Sequence, residues 1–498
     1  MIKRLAYLFL CSIAVSVFIL PDSWILQNVA QYETEFHLSD KLIYAKLYLV
    51  ILMILLGLAL RYSILEELIS VLKFPINKII LIPLGLLFFL LLVMANWFPV
   101  MLDEANSYLF FVKRGFLVTT AYYPAPNNHV FSNLLAGVVN LFGFKSAFSL
   151  RFVSICSVVT AGYFLQLLLK EFFSSRVAIL ATFMWLGFYH TLVYGFLGRG
   201  YSLEVLLFTL SLLSLVKWIK NNRRGYLYWY VLFSMLGFYT VPTYLFYFLP
   251  ASLFWIWETR KVKLWFLSTT AVGLGSVLLY YPIILFSGLE SLLGNHWVSA
   301  SDSFYGTFFS QFQGFFEFQW LFSNGLFFSL ILIAVYYKMG KNVTPMLKVI
   351  GLSYGVLVLV SGLIQHFPPF RSLHLFTLLN FVLIASLLES ALDKNKIILF
   401  VLPIMIAGWS IYTLYDFRLY GMSQYDDLVE VDKLLEAKKV DKVTVDEDFY
   451  YVMLKYHWKS SLEVNFDKEC DFGYFLSVEN EKESIGETKF TSLQYCSE

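Results

Sequence analysis

IILIPLGLLFFLLLVMANWFPVMLDE, residues 79–104, runs through more than twenty nearly uninterrupted apolar positions and then sets two carboxylates side by side. A helix of that length crosses the roughly 30 Å of hydrocarbon in a bilayer. Asp103 and Glu104 therefore stand where the chain leaves the membrane. Acids in such a place can simply close one helix or cap the next, so position alone leaves open whether the pair is a helix end or a working site.

The rest of the chain sets the context. Of 498 residues, 59% are hydrophobic, 19% aromatic and only 14% charged, and the mean hydropathy is +0.68. These values exclude a water-soluble domain of this size. The apolar runs are helix-length rather than the short alternating segments of an outer-membrane barrel. An all-α polytopic membrane protein with about thirteen transmembrane helices is expected: Leu5–Leu20, Leu42–Leu60, Ile79–Val100, Ala147–Leu169, Val177–Phe196, Ser202–Val216, Leu227–Thr240, Thr243–Trp257, Leu264–Phe286, Gln319–Tyr337, Leu347–Ile364, Arg371–Glu389 and Lys396–Tyr415. The first follows Lys3 and Arg4 and has the make-up of either a retained anchor or a cleaved signal peptide; that no small-x-small cleavage site follows Leu20 favours the anchor.

Net charge is +2, which points to no nucleic-acid partner. Its placement says more. Lys3, Arg61, Lys73, Lys170, Arg176, Lys217, Arg224, Arg260, Lys338 and Lys394 fall in alternate connections, whereas Ser287–Phe318 has no basic residue. The positive-inside rule then puts the basic connections in the cytoplasm and the loop after Val100 outside, as in a multi-pass protein of a bacterial cytoplasmic membrane.

Three segments are expected: a two-helix membrane segment (1–78), a main transmembrane region (79–418) and a small soluble extracytoplasmic domain (419–498). From about Gly421 the chain turns rich in Asp, Glu and Lys. Asp426–Lys439 has helical periodicity, while DKVTVD, LEVNF and GYFLSV read as short strands, which gives a small α/β unit. Cys11 and Cys156 lie in predicted spans and read as packing residues. Cys470 and Cys496 share the tail, where an oxidising compartment would let them pair. There is no CxxC or HExxH, and the seven histidines are scattered, so zinc has no support in the sequence. The acidic pair by itself does not establish a divalent metal, and no other cofactor is implied.

The connection from Asp103 to Ala147 exceeds forty residues, long for a compact bundle and suggestive of function. Ala105–Arg114 is aromatic and ends in Lys113 and Arg114, as for a helix lying in the interface. Val130–Phe142 reads as a second interfacial or re-entrant helix. Between them YYPAPNNH makes a polar elbow of Asn127, Asn128 and His129. Pro and Asn form turns whatever the function, so the elbow alone decides nothing.

In this order of parts, Ile79–Leu215 resembles the GT-C glycosyltransferases, specifically the bacterial relatives of protein O-mannosyltransferases and of the aminoarabinose transferase acting on lipid A. The family delivers an Asp-Glu pair into its first external loop, where Asp103 and Glu104 stand. PAPNNH takes the place of the family's frequent His-Pro-Pro elbow. SRVAILATFMWLGFYHTLVYGFLGRGYSLEVLL (175–207) looks like the following pair of spans, with Arg199 and Tyr201 at their junction.

The resemblance implies an enzyme that moves a hexosyl or pentosyl group from a polyprenyl-phosphate sugar donor, with inversion, to an extracytoplasmic lipid, glycan or protein hydroxyl. Asp103 would be the general base, a better proton acceptor than in water, and Glu104 its helper in shaping or binding the acceptor. Asn127, Asn128, His129, Arg199, Tyr201, Arg371 and His374 are the candidate substrate-binding residues, with Arg199 or Arg371 as cation for the departing phosphate. Blander readings stand beside these: Arg199 paired with Glu204, Arg371 snorkelling to the interface, His374 packing between helices. Two other classes compete. One is an O-antigen polymerase or ligase, which would place its large loop late in the chain. The other is a lipid-linked saccharide flippase or transporter, which would show mid-membrane charges or paired broken helices.

Overall fold

The computed structural model describes residues 42–61, 64–71, 78–124, 127–144, 146–293, 304–321, 325, 329, 345–391 and 398–440, and in the tail 442–445, 448–457, 463–466, 473–480 and 488–496. Among these, seven helices are long and apolar enough to cross a membrane: Leu42–Ala59, Ile80–Trp97, Phe148–Leu169, Tyr201–Asn221, Val262–Phe286, Pro345–Ile364 and Phe370–Glu389. The chain is a multi-pass membrane protein.

The expected single span Val177–Phe196 is two helices, Ser175–Leu186 and Tyr189–Phe196, bent by 62°. Gly187 ends the first, and Phe188 is extended with its ring against Phe381, so a packed aromatic fixes the break. Two other expected spans are short helices, Arg224–Thr240 and Leu245–Thr259, joined by a 3-10 turn at Pro242–Tyr244. Leu5–Leu20 and most of Gln319–Tyr337 lie outside the described residues. The central core is packed from Ile80, Leu91, Ile155, Leu165, Trp185, Phe208, Trp255 and Phe376 among others, drawn from helices far apart in sequence.

The last expected span, Lys396–Tyr415, does not stop at Tyr415. It runs on as one helix, Ile398–Ala437, of 40 residues. Gly421 sits inside it, and a Cβ there would lie 3.0 Å from Pro99 Cγ. Glycine lets the long helix pass close to the turn that precedes Asp103.

The tail carries a four-stranded sheet, with β1 (Lys442–Val445), β2 (Glu463–Phe466), β3 (Gly473–Asn480) and β4 (Thr488–Cys496) in the order β2-β1-β3-β4. The β1 pairs with β2 and β3 are parallel and β3 with β4 antiparallel. Helix Asp448–His457, not anticipated from the sequence, provides the crossover between β1 and β2. Cys470 lies outside the described residues, so the expected disulfide does too.

The tail does not stand apart. Its buried Leu428, Val431, Leu435, Val443, Val452, Met453, Leu454 and Val464 form one cluster with Ala105, against which Leu102, Leu109 and Phe110 pack. The segment bearing Asp103 is thus roofed by the C-terminal unit.

Candidate active site

The span ending at Trp97 is followed by Pro99 and then a short helix, Leu102–Ser107. Its first turn carries both acids. The expected interfacial helix continues as a π-helical turn, Tyr108–Val112, with Lys113 capping its end, and is followed by an unanticipated helix, Phe116–Ala121. The second expected helix is Val130–Leu141.

Neighbouring residues on a helix point about 100° apart, and the two carboxylates face different surroundings. Glu104 is 1% exposed. Its Oε1 accepts from Arg151 Nε (2.8 Å) and the Gly198 N–H (2.6 Å), and its Oε2 from Arg151 Nη2 (2.6 Å) and the Met101 N–H (3.1 Å). Arg151 also donates to the carbonyls of Ala95, Phe98 and Pro99, which ends the preceding span. The expected role of Glu104 toward an acceptor is not met by this geometry: each oxygen has two donors inside the protein, and the carboxylate ties three elements together.

Asp103 is the outward one, its side chain 34% exposed. Its Oδ2 accepts from Arg371 Nη1 at 3.1 Å and lies 3.6 Å from Arg199 Nη2. Arg199 therefore pairs with Asp103 rather than Glu204. Partial burial works against the Asp103 charge, but Arg199 and Arg371 outweigh it and hold the carboxyl below its ordinary range. This corrects the expected gain in basicity. With both arginines on it, Asp103 is ionised and is a weaker proton acceptor than a free aspartate.

Arg199 is 5% exposed. Burial opposes its charge, yet Asp103 more than compensates and keeps it protonated. One guanidinium nitrogen reaches the Asp103 carbonyl (3.3 Å), Ser107 Oγ (3.3 Å) and Asn127 Oδ1. The group also lies over the Tyr201 ring, 5.8 Å from its centre, a cation–π contact. Its Nε has no partner.

Glycines on both sides of Arg199 make this approach feasible. A Cβ on Gly198 would meet Leu150 Cβ at 2.6 Å and Glu104 Oε1 at 3.0 Å, and one on Gly200 would meet His129 Nδ1 at 2.5 Å. The GRG run is a packing requirement. With Ser107 and Tyr194, the two glycines belong to the part of the site that sequence reading passed over, as does the grip of Arg151 on Glu104.

The elbow divides. Asn128 is buried and fully engaged: its amide donates to the carbonyls of Thr119 and Tyr122 (2.9 Å each), and its Oδ1 accepts from Asn133 (2.9 Å). It shapes the turn rather than facing a substrate, against expectation. Asn127 reaches Arg199. His129 accepts from the Gly200 N–H at Nδ1 (3.0 Å), which leaves the proton on Nε2, so the 3.2 Å approach of Arg199 Nη2 to Nε2 is a packing contact. Burial, then Arg199 and Arg371, push the His129 pKa well below its usual value. The ring is neutral.

Arg371 lies in a 3-10 turn, Phe370–Leu373, and is 51% exposed. His374, the next residue but two, is 2% exposed and neither of its ring nitrogens has a hydrogen-bond partner. Its ring meets Tyr194 edge-on at 4.8 Å, Tyr194 meets Tyr201 at 5.2 Å, and Tyr201 meets His129 at 4.9 Å. The candidates thus form one constellation at one end of the bundle, with an aromatic chain running inward from the arginines. Among the described residues no three His, Cys, Asp or Glu side chains converge to hold a metal.

Residues 128–286 match the family of dolichyl-phosphate-mannose-protein mannosyltransferases. The matched segment includes Asn128, His129, Arg199 and Tyr201 and leaves out Asp103, Glu104, Asn127, Arg371 and His374. Among solved structures, ArnT from Cupriavidus metallidurans in the apo state is similar at 14% identity and a TM-score of 0.45, over 69% of this chain and 64% of that one. The same protein bound to undecaprenyl phosphate is similar at 13% identity and a TM-score of 0.48, over 76% and 74% respectively. The chain thus spans just under two thirds of the first structure. No curated protein matches it significantly. The GT-C resemblance read from the sequence is met, since over residues 128–286 the chain carries the pattern of the dolichyl-phosphate-mannose-protein mannosyltransferase family.

Proposed function

We propose that the chain is a membrane glycosyltransferase that transfers a sugar from a polyprenyl-phosphate donor to an extracytoplasmic hydroxyl with inversion, in a bacterial cytoplasmic membrane. One observation carries the reading: a carboxylate at the end of the bundle is bracketed by two arginines, Arg371 at 3.1 Å and Arg199 at 3.6 Å. The reaction needs those two kinds of group side by side, a base for the acceptor proton and fixed positive charge for the departing phosphate.

The steps follow from the charges. The donor phosphate competes with Asp103 for the arginines, and Arg371, the more exposed of the two, moves to it most readily. Release from Arg371 raises the basicity of Asp103 at the moment the donor is in place. The acceptor oxygen then attacks the anomeric carbon and its proton passes to Asp103. The bond from that carbon to the phosphate oxygen breaks, and polyprenyl phosphate leaves with its new charge against Arg199 and Arg371. Tyr194, Tyr201 and His374 pack on the inward side, and the buried His374 nitrogens are unpartnered there.

Purified protein supplied with polyprenyl-phosphate sugars and an acceptor tests this. Asp103→Asn keeps the shape and removes the charge. Turnover should fall by about 10²–10⁴-fold, the usual contribution of a general base, with donor binding no weaker than wild type, because the arginines lose the carboxylate that competes with the phosphate. An Asp103→Asn protein releasing polyprenyl phosphate at the normal rate would remove the mechanism.

A further inference from the structure

The C-terminal unit touches the Asp103 segment at two independent places, and both bear on how firmly that residue is held. The first is the shared core: Ala105 is wholly buried, with Leu102, Leu109 and Phe110 beside it, against Leu428, Val431, Leu435 and Val452–Leu454. The helix that shows Asp103 outward thus turns Ala105 into the C-terminal unit.

The second place is Tyr456, on helix Asp448–His457. Its hydroxyl accepts the Ala147 N–H at 2.9 Å. Ala147 caps the helix Phe148–Leu169, and Arg151, one turn further on, grips Glu104. The Tyr456 ring also packs edge-on against Tyr108, centres 6.1 Å apart, at the far end of the Leu102–Ser107 helix. One side chain therefore holds both partners of the Glu104–Arg151 pair, from the start of one helix and the end of the other.

We infer that the C-terminal unit is part of the catalytic machinery, with Tyr456 a positioning residue that fixes the Asp103 turn against Arg199 through Tyr108 and Ala147. The inference rests on the reading of Asp103 as the base. Tyr456 touches no reacting atom. Its effect is on how often Asp103 stands where the acceptor proton must go, so it belongs to the chemical step and not to donor affinity.

The test uses the full chain in detergent or nanodiscs, with polyprenyl-phosphate mannose and polyprenyl-phosphate aminoarabinose as donor probes. Tyr456→Phe removes one oxygen and keeps the ring. Small displacements of a catalytic group are costly, and a fall of roughly tenfold in kcat is expected, with donor KM and melting temperature unchanged. Amide hydrogen exchange over residues 102–112 should quicken, and that over Tyr201–Asn221 should not. Met453→Ala, a cavity in the same cluster, is the control. Unchanged kcat in Tyr456→Phe, a change confined to KM, or a loss that tracks melting temperature equally in both variants would overturn the inference. Asp103→Asn runs alongside. If it is inactive while Tyr456→Phe is normal, only the inference fails; if it is active, the proposed function fails first. The exchange result stands without any donor.

Discussion

The two ends of the bundle treat charge in opposite ways. At the end away from Asp103, Lys217 and Lys220 meet Glu171, and Lys348 meets Glu258, at 2.5–2.8 Å. These side chains keep between 18% and 45% of their surface exposed. At the Asp103 end, Glu104 and Arg151 are almost wholly buried and Arg199 nearly so. Short distances occur at both ends, so distance does not tell them apart. Burial does: an exposed pair contributes about 0–1 kcal/mol, whereas removing one member of a buried pair costs about 3–5 kcal/mol. Charges kept out of water are there for geometry, and the geometry they keep is that of Asp103 and its arginines.

Breaking the buried pair should give the largest effect. Glu104→Gln leaves Arg151 with backbone carbonyls and no counter-charge, and a loss of about 3–5 kcal/mol is expected, seen as a lower unfolding temperature of the detergent-solubilised protein. Unaltered unfolding would mean that the carbonyls of Ala95, Phe98 and Pro99 suffice to hold Arg151, and the contrast between the ends would lose its energetic basis.

Arg199 separates charge from shape. Arg199→Ala should reduce turnover by about 10²–10³-fold, the scale of losing one donor to a developing anion. Arg199→Lys should recover part of it, because the charge stays while the contacts to Ser107 and Asn127 do not. Equal and mild losses in steady-state assays of both variants would reduce Arg199 to a helix anchor.

The smallest effect belongs to the opposite end. Lys348→Ala removes the partly exposed pair with Glu258 and should change stability by about 1 kcal/mol or less and leave turnover alone. A large loss on thermal unfolding there would show that the membrane surface shields this end more than its exposure indicates.

What was legible in the sequence follows from how local each signal is. Asp103 stands out because a carboxylate after a long apolar run costs free energy wherever it sits, and the GT-C pattern spans contiguous residues. The break at Gly187 was not legible, because a ring from Phe381 settles it and nothing nearby in sequence announces that contact. The different fates of Asp103 and Glu104 were half legible: helix geometry says they diverge, but which one meets Arg151 depends on a residue 47 positions away. Asn128 and Asn127 are indistinguishable as letters, and only the fold shows one knitting the elbow and the other reaching Arg199. The run of the last helix on past Gly421 was not legible, because the Pro99 ring that this glycine accommodates comes from another element.

The 40-residue helix Ile398–Ala437 has a mechanical consequence. At 1.5 Å per residue it is about 60 Å long, twice the hydrocarbon thickness of about 30 Å, so it works as a mast stepped in the bilayer. Its buried Leu428, Val431 and Leu435 lie on one stripe facing the Asp103 segment, and the angular phase of that stripe is set by the residues below it. One residue more in the mast would swing the stripe by about 100° and take it off Ala105, whereas seven more would nearly restore its bearing but lift it about 10 Å too high. The length of a helix that touches no reacting atom is in this way locked to the position of the carboxylate at its side.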